Sequence, residues 1–264
     1  MFERKLPEAW SWSHDIKSDQ IDSLTMPGWH LMRLSSYGKD NHRRFAAVVF
    51  KEPGPEPSYV LDLDAAAIEA RLRETGAQPV AITVGADGSQ PRFSLVLQNG
   101  LGRLSSLHVD LDEAGVNGLF DDDHSIADFV TYVVDGVRKY AVILEEQPGP
   151  SWFFTDVTAH ELDAQLAQLG ADLLRVRAYV EEGQKKFAAV AERSNVGKWA
   201  WYANLDADAV ASKLDRKCLP IRSRCHSRRT RGSLYDGDVS RRALTLPQRQ
   251  LAGQNASPQH GALN

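Results

Sequence analysis

Cysteine is scarce in this 264-residue chain: the only two, Cys218 and Cys225, lie near its C-terminal end. The first 215 residues therefore have neither a disulfide framework nor thiol metal ligands. No apolar run approaches the roughly 18 residues of a membrane helix. Met1-Phe2-Glu3-Arg4-Lys5 leads into no apolar stretch of the secretory kind. The expectation is a soluble protein without a membrane partner. Its compartment is left open, cytoplasmic by default and extracellular if the chain is a piece of a secreted protein. A glycine-rich phosphate loop is missing. The eight histidines share neither a register nor a metal-ligand spacing, so neither a cofactor nor a metal is expected.

Positive charge is short over most of the chain. Residues 216–264 hold ten Lys/Arg against two Asp, which leaves 21 basic and 33 acidic side chains on residues 1–215, a net of −12. An acidic body argues against nucleic acid as a partner.

What the chain does have is periodicity, with a unit of about 47 residues. Phe45, Phe93, Tyr140 and Phe187 each sit in an apolar strand-like run, Arg44–Phe50, Arg92–Leu97, Lys139–Leu144 and Lys186–Ala191, and are spaced 48, 47 and 47 apart. Asp15-Ile16, Asp62-Leu63, Asp110-Leu111, Asp156-Val157 and Asn204-Leu205 keep the same period and open helical patterns. An apolar residue follows six positions on, at Ile21, Ile68, Val116, Leu162 and Val210. Asp64, Asp112, Thr158 and Asp206 are suited to cap these helices, with Ser18 in that role in the first copy. Gly28, Gly76 and Gly170 suit the left-handed position after a helix. Each helix precedes three strand-like runs, in the second copy Pro79–Val84, Arg92–Gln98 and Arg103–Val109. Asp87-Gly88, Asp135-Gly136 and Glu182-Gly183 mark hairpin turns, and Pro53-Gly54-Pro55 and Pro148-Gly149-Pro150 mark loops outside the sheet. Tyr37, Tyr132 and Tyr179 stand eight residues before the anchoring aromatic, and Gly85 is the exception.

These patterns predict an α+β fold, a tandem repeat of one helix plus a three-stranded antiparallel meander, stacked as a curved solenoid or an incomplete ring and acting as a monomer. Residues 1–14 form a lead-in. Residues 15–215 are the repeat region, with copies at about 15–61, 62–109, 110–155 and 156–203 and a partial copy at 204–215. Residues 216–264 are a basic tail, read as a disordered end, and a nucleic-acid-binding role for it is the weaker alternative. The third helix is interrupted by Gly115 and Gly118, and Asp121-Asp122-Asp123-His124 after it reads as a solvated loop rather than a metal site.

Ser36-Tyr37-Gly38-Lys39 fits the S-x-x-K pattern of β-lactamase-like serine hydrolases, Tyr202-Ala203-Asn204 fits a second motif of those enzymes and His260-Gly261 part of a third. The register opposes this reading: Tyr37 holds the position of Tyr132 and Tyr179, which lack the Ser–Lys pair, and Tyr202 and Asn204 fill strand and helix-entry positions that any copy must fill. No catalytic residue is assigned. Aromatics are the remaining lead: Tyr59, Leu107, Phe153 and Trp201 stand three residues before each helix start, beside Trp152, Phe154, Trp199 and Tyr202. Most belong to the core. Trp152, Trp199, Trp201 and Tyr59 are the candidates for an outward aromatic surface that binds a protein or polymer.

The Phe-Ala-Ala-Val strand, the Pro-Gly-Pro loop, the aromatic third strand and the Asp/Asn-Leu-Asp helix start together resemble the bacterial tandem repeat domain, over residues 15–215. That family also forms the amino-terminal region of polyglycine-hydrolase-like proteins. The resemblance implies a binding or scaffold module that accompanies a serine hydrolase domain in some architectures. The alternative it implies is a truncated or accessory part of such a hydrolase. The hydrolase domain itself is not recognisable in this sequence.

Overall fold

The computed structural model describes residues 9–215 apart from 39–41, 55–56, 88–89, 101–103, 120–122, 148, 194–200 and 204. Its architecture is mostly β. Twelve strands fall into four three-stranded antiparallel sheets. Sheet 1 contains β1 (Ala9–Ile16), β2 (Trp29–Tyr37) and β3 (Arg44–Lys51), and sheet 2 contains β4 (Ser58–Leu63), β5 (Gln78–Asp87) and β6 (Gln90–Gln98). Sheet 3 is built from β7 (Ser105–Leu111), β8 (His124–Val134) and β9 (Val137–Glu146), and sheet 4 from β10 (Ser151–Val157), β11 (Asp172–Glu181) and β12 (Gln184–Glu192). Between the first and second strands of each sheet runs a short crossover: a 3-10 turn at Ser18–Leu24, then α1 (Ala65–Thr75), α2 (Glu113–Asn117) and α3 (Ala159–Leu169). A further helix, α4 (Ala207–Asp215), follows sheet 4.

The expected α+β class is thus corrected toward β, and the expected meander is corrected as well. In every sheet the last strand is central and the first and second strands flank it, as in β4-β6-β5. The strand anticipated at Arg103–Val109 as the end of the second unit is β7, which pairs with β9 of the following sheet. Residues 9–14, anticipated as a lead-in, belong to β1. The physical reason is the crossover. A strand that leads into a helix returns at the far edge of its sheet, and the hairpin that follows brings the third strand into the middle.

Local chemistry explains the boundaries. Asp64, Asp112, Thr158 and Asp206 each accept a hydrogen bond from the backbone N–H three residues on, and the Glu161 carboxylate in turn accepts one from the Thr158 N–H. These bonds to the Thr158 N–H and hydroxyl hold the Glu161 carboxyl below its usual range. In the first crossover Ser18 does not cap. The start of that turn is closed from the other side, where Gln20 Oε1 accepts from the Lys17 N–H. The hairpins at Asp135-Gly136 and Glu182-Gly183 have two residues at positive φ, the conformation whose twist matches that of the paired strands.

The central strands β6, β9 and β12 are buried on both sides through their middles. In β6, Phe93, Leu95 and Leu97 join a cluster with Val130, Tyr132, Ala141 and Ile143 of sheet 3, whereas Val96 joins Phe45, Ala47 and Val49 of sheet 1. β9 repeats this: Ala141 and Ile143 face sheet 2, and Tyr140, Val142 and Leu144 meet Ala188 and Val190 of sheet 4. The period-2 alternation of a strand therefore divides each sheet into a leading face toward the sheet before and a trailing face toward the sheet after. The crossovers contribute Ile21, Ile68, Val116 and Leu162, all buried on trailing faces.

Ile143 is fully buried between sheets 2 and 3. Replacing it with Ala is expected to cost about 2–5 kcal/mol, seen as a lower urea midpoint with an unchanged slope.

Candidate functional site

A strand must bend sharply to leave its sheet for a crossover, and an Asp makes the bend in all four sheets. Asp15, Asp62, Asp110 and Asp156 have φ of 58°, 55°, 58° and 54°. Each lies in a bulge where two residues of the first strand oppose one of the central strand. Asp tolerates this left-handed conformation better than most side chains do. The bulge would orphan the Asp N–H, and a tyrosine satisfies it. The Tyr37 hydroxyl accepts from the Asp15 N–H at 2.7 Å, that of Tyr132 from Asp110 at 2.9 Å and that of Tyr179 from Asp156 at 2.9 Å. Tyr132 also donates to the Asp110 carboxylate at 2.8 Å, and Tyr179 donates to that of Asp156.

Gly85 breaks the tyrosine series, and the neighbouring sheet makes up for it. Arg43 of sheet 1 pairs with the Asp62 carboxylate. A Cβ placed on Gly85 would lie 2.6 Å from the Arg43 guanidinium carbon, so that group occupies the space of the missing side chain. Ser94 Oγ accepts from the Asp62 N–H at 3.1 Å. Arg138, 95 residues on in the corresponding hairpin position, lies 3.7 Å from the centroid of the Tyr179 ring instead.

A buried carboxylate that the sequence reading passed over joins three sheets. Asp128 is 1% exposed. It accepts from the Ile82 N–H of sheet 2, from the Phe129 N–H and from Arg177 of sheet 4 at 2.7 Å, with Arg175 at 3.5 Å. Its signal was present: it is the one charge in Ile126-Ala127-Asp128-Phe129-Val130. A buried charge of this kind requires partners.

Of the aromatic candidates among the described residues, none is exposed. Trp201 is 8% exposed and packs edge-on against Phe187, with centroids 5.6 Å apart. It is corrected from a ligand-facing residue to a core residue. Tyr59 is half-buried between sheets 1 and 2 and bonded through its hydroxyl to Asp22. Trp152 is half-buried on the trailing face of sheet 4, with the Arg193 guanidinium 5.8 Å from its ring. Trp199 falls outside the described residues, as do Lys39, Gly88, Pro55, Pro148, Asp121, Asp122, Asn204 and the whole of 216–264.

Ser36 is committed to structure. Its N–H donates to Thr83 Oγ1 at 2.8 Å, and its hydroxyl donates to the Val84 carbonyl at 2.8 Å. It lies between sheets 1 and 2, whereas Tyr202 follows sheet 4 with the Lys213 amine 4.2 Å from its ring centroid. Among the described residues no three His, Cys, Asp or Glu side chains converge as a metal site, and no helix is long and apolar enough to cross a membrane. No family model matches the chain, and no curated protein does.

Burial first, then the Asp22 carboxylate, pushes the Tyr59 phenol up to about 12, and burial raises Tyr132 and Tyr179 in the same direction. The folded chain thus keeps phenol protons that the unfolded chain releases above the ordinary value of 10.0. This stabilisation is complete below about pH 10 and is lost as pH rises through about 12. Tyr132→Phe, which orphans the Asp110 N–H, is expected to cost about 1–3 kcal/mol and to flatten the alkaline fall in melting temperature. Gly85→Tyr is expected to destabilise alone by about 1–3 kcal/mol, and Arg43→Ala added to it should recover most of that loss in a double-mutant cycle.

Proposed function

We propose that this chain is a tandem-repeat scaffold module that binds a protein rather than turning over a substrate. In this reading the four sheets are four copies of one unit, stacked into a curved solenoid that presents the same hairpin at regular intervals. The reading agrees with the resemblance to the bacterial tandem repeat domain and assigns no chemistry to Ser36.

The observation that carries it is a row of exposed apolar side chains at the hairpin tips. Val133 is 53% exposed, and Val180, the matching residue of the next hairpin, is 67% exposed. Val137, 53% exposed, flanks the first of these turns, and Tyr37 is 42% exposed at the hairpin of sheet 1. Single exposed valines are ordinary. Their recurrence in one register position of consecutive sheets gives a surface that a partner can read at several points at once. In this reading the rim takes the place of the aromatic surface, since Trp201 packs against Phe187 and Tyr59 lies between sheets 1 and 2.

Two measurements test the proposal. A fluorophosphonate or β-lactam probe should leave Ser36 unlabelled, and a Ser36 adduct would sink it. A photo-crosslinking amino acid at Val133 or Val180, in the source cells, should give one discrete protein adduct that Val133→Asp with Val180→Asp abolishes at unchanged melting temperature. A smear of adducts insensitive to those changes argues against a specific rim.

A further inference from the structure

The described segment after sheet 4 imitates the first strand of a following sheet. At each internal junction, a residue three positions before the left-handed Asp lies on the leading face and joins the cluster of the sheet before it: Tyr59 with sheet 1, Leu107 with sheet 2 and Phe153 with sheet 3. Trp201 stands 48 residues after Phe153 and joins the trailing-face cluster of sheet 4, with Leu162, Leu166, Ala189 and Ala191. The details match as well. Phe153 meets Tyr140 edge-on at 5.4 Å and 86°, and Trp201 meets Phe187, the residue equivalent to Tyr140, at 5.6 Å and 77°. The Tyr59 hydroxyl bonds to Asp22 in the crossover of sheet 1, and Trp201 Nε1 donates at 2.8 Å to Asp163, the equivalent residue of α3. The segment thus reproduces both the ring contact and the polar anchor of an internal junction. It then adds α4, capped by Asp206.

The opposite end of the stack carries the complementary face with less cover. Val96, Ile143 and Val190, the central leading-face residues of sheets 2, 3 and 4, are all 0% exposed. Val48, their equivalent in sheet 1, is only half-buried. Ala46 is half-buried where Ser94, Ala141 and Ala188 are buried. Tyr37 is 42% exposed where Tyr132, stacked edge-on against Phe93 of the preceding sheet, is 9% exposed. Trp12, the counterpart of Trp201, stacks on His14 of its own strand.

We propose that the trailing face of sheet 4 is a docking surface for the leading face of sheet 1 of a second copy of this chain, and that residues 201–215 hold it closed as a cap. The proposal rests on the tandem-repeat reading but not on the hairpin rim. The two faces already meet three times within one chain, at the junctions of sheets 1 and 2, 2 and 3, and 3 and 4, so their complementarity is built into the sequence. Because the faces differ, the contact is heterologous and propagates head to tail rather than closing as a symmetric dimer. The cap prevents this by presenting Trp201 where the partner's Trp12 would go.

The test is sedimentation of the full chain carrying Trp201→Ala, over about a hundredfold range of concentration. The unaltered chain should stay monomeric. The Trp201→Ala chain should show a weight-average mass that rises at least about twofold and continues to climb, with its β-rich circular dichroism retained. Val48→Glu added on the leading face of sheet 1 should restore the monomer. Asp163→Ala, which removes only the Nε1 anchor, gives a weaker form of the same behaviour and serves if Trp201→Ala does not fold. A folded, monomeric chain in both variants overturns the proposal. So does association that Val48→Glu leaves unchanged, which marks non-specific aggregation. Loss of photo-crosslinking at Val133, by contrast, bears on the rim alone.

Discussion

A three-stranded sheet of six- to eleven-residue strands cannot bury its own apolar faces, and everything else in this molecule follows from that limit. Each sheet has two faces to hide and only small crossovers with which to hide them. Sheets pressed face to face supply what the helices cannot. The cost is that both faces of the central strand must be apolar, which is why Arg92–Gln98 and Lys139–Leu144 read as continuous rather than alternating hydrophobic runs. A benefit is that each junction is local in the chain, since consecutive sheets are neighbours.

Asp128 is the most deeply committed of the polar groups described between the sheets. Asp128 would be costly if its partners lay in its own sheet alone. Instead it takes an N–H from sheet 2 and a guanidinium from sheet 4, so that relative sliding of three sheets would break charge-assisted bonds. Ser36 and Thr83 do similar work, neutral and weaker, between sheets 1 and 2. Side chains that look catalytic in a linear reading are thus consumed by the need to fix one sheet against the next.

How much of this could be read from the sequence depended on whether a feature recurred in register. The buried aromatics Phe45, Phe93, Tyr140 and Phe187, the caps Asp64, Asp112, Thr158 and Asp206 and the turn at Asp135-Gly136 all recur, and spacing alone located them. Strand pairing was not legible. The pattern helix–strand–strand–strand and the pattern strand–helix–strand–strand are the same periodic string cut at different places, and only hydrogen bonds say where the unit begins. The left-handed Asp was seen as a helix start because the bulge that precedes the cap leaves no mark in hydrophobic periodicity. Gly85 is an exception whose cause the sequence does not show, since Arg43, which compensates for it, lies 42 residues earlier and beside a different sheet. Exposed valines such as Val133 and Val180 are not legible either, because a strand-forming valine carries no mark in the sequence of which face it will take.

The recurrence of Asp at the bend deserves a physical account of its own, because glycine would adopt the same φ with less strain. The N–H of the bend needs an acceptor, and a phenol oxygen provides one. A phenol buried in that position also needs an acceptor for its own proton. A carboxylate on the bent residue meets that need, which glycine cannot do, and the bond it receives is charge-assisted. Asn would tolerate the backbone but offers a neutral acceptor. Asp62 shows that the carboxylate, rather than the tyrosine, is the fixed half of the arrangement. Where Gly85 removes the ring, the same carboxylate pairs with Arg43 from the sheet before and Ser94 takes over the N–H. One residue type therefore serves two kinds of partner, one within the sheet and one across the junction. The bend is thereby tied either to its own hairpin or to its neighbour.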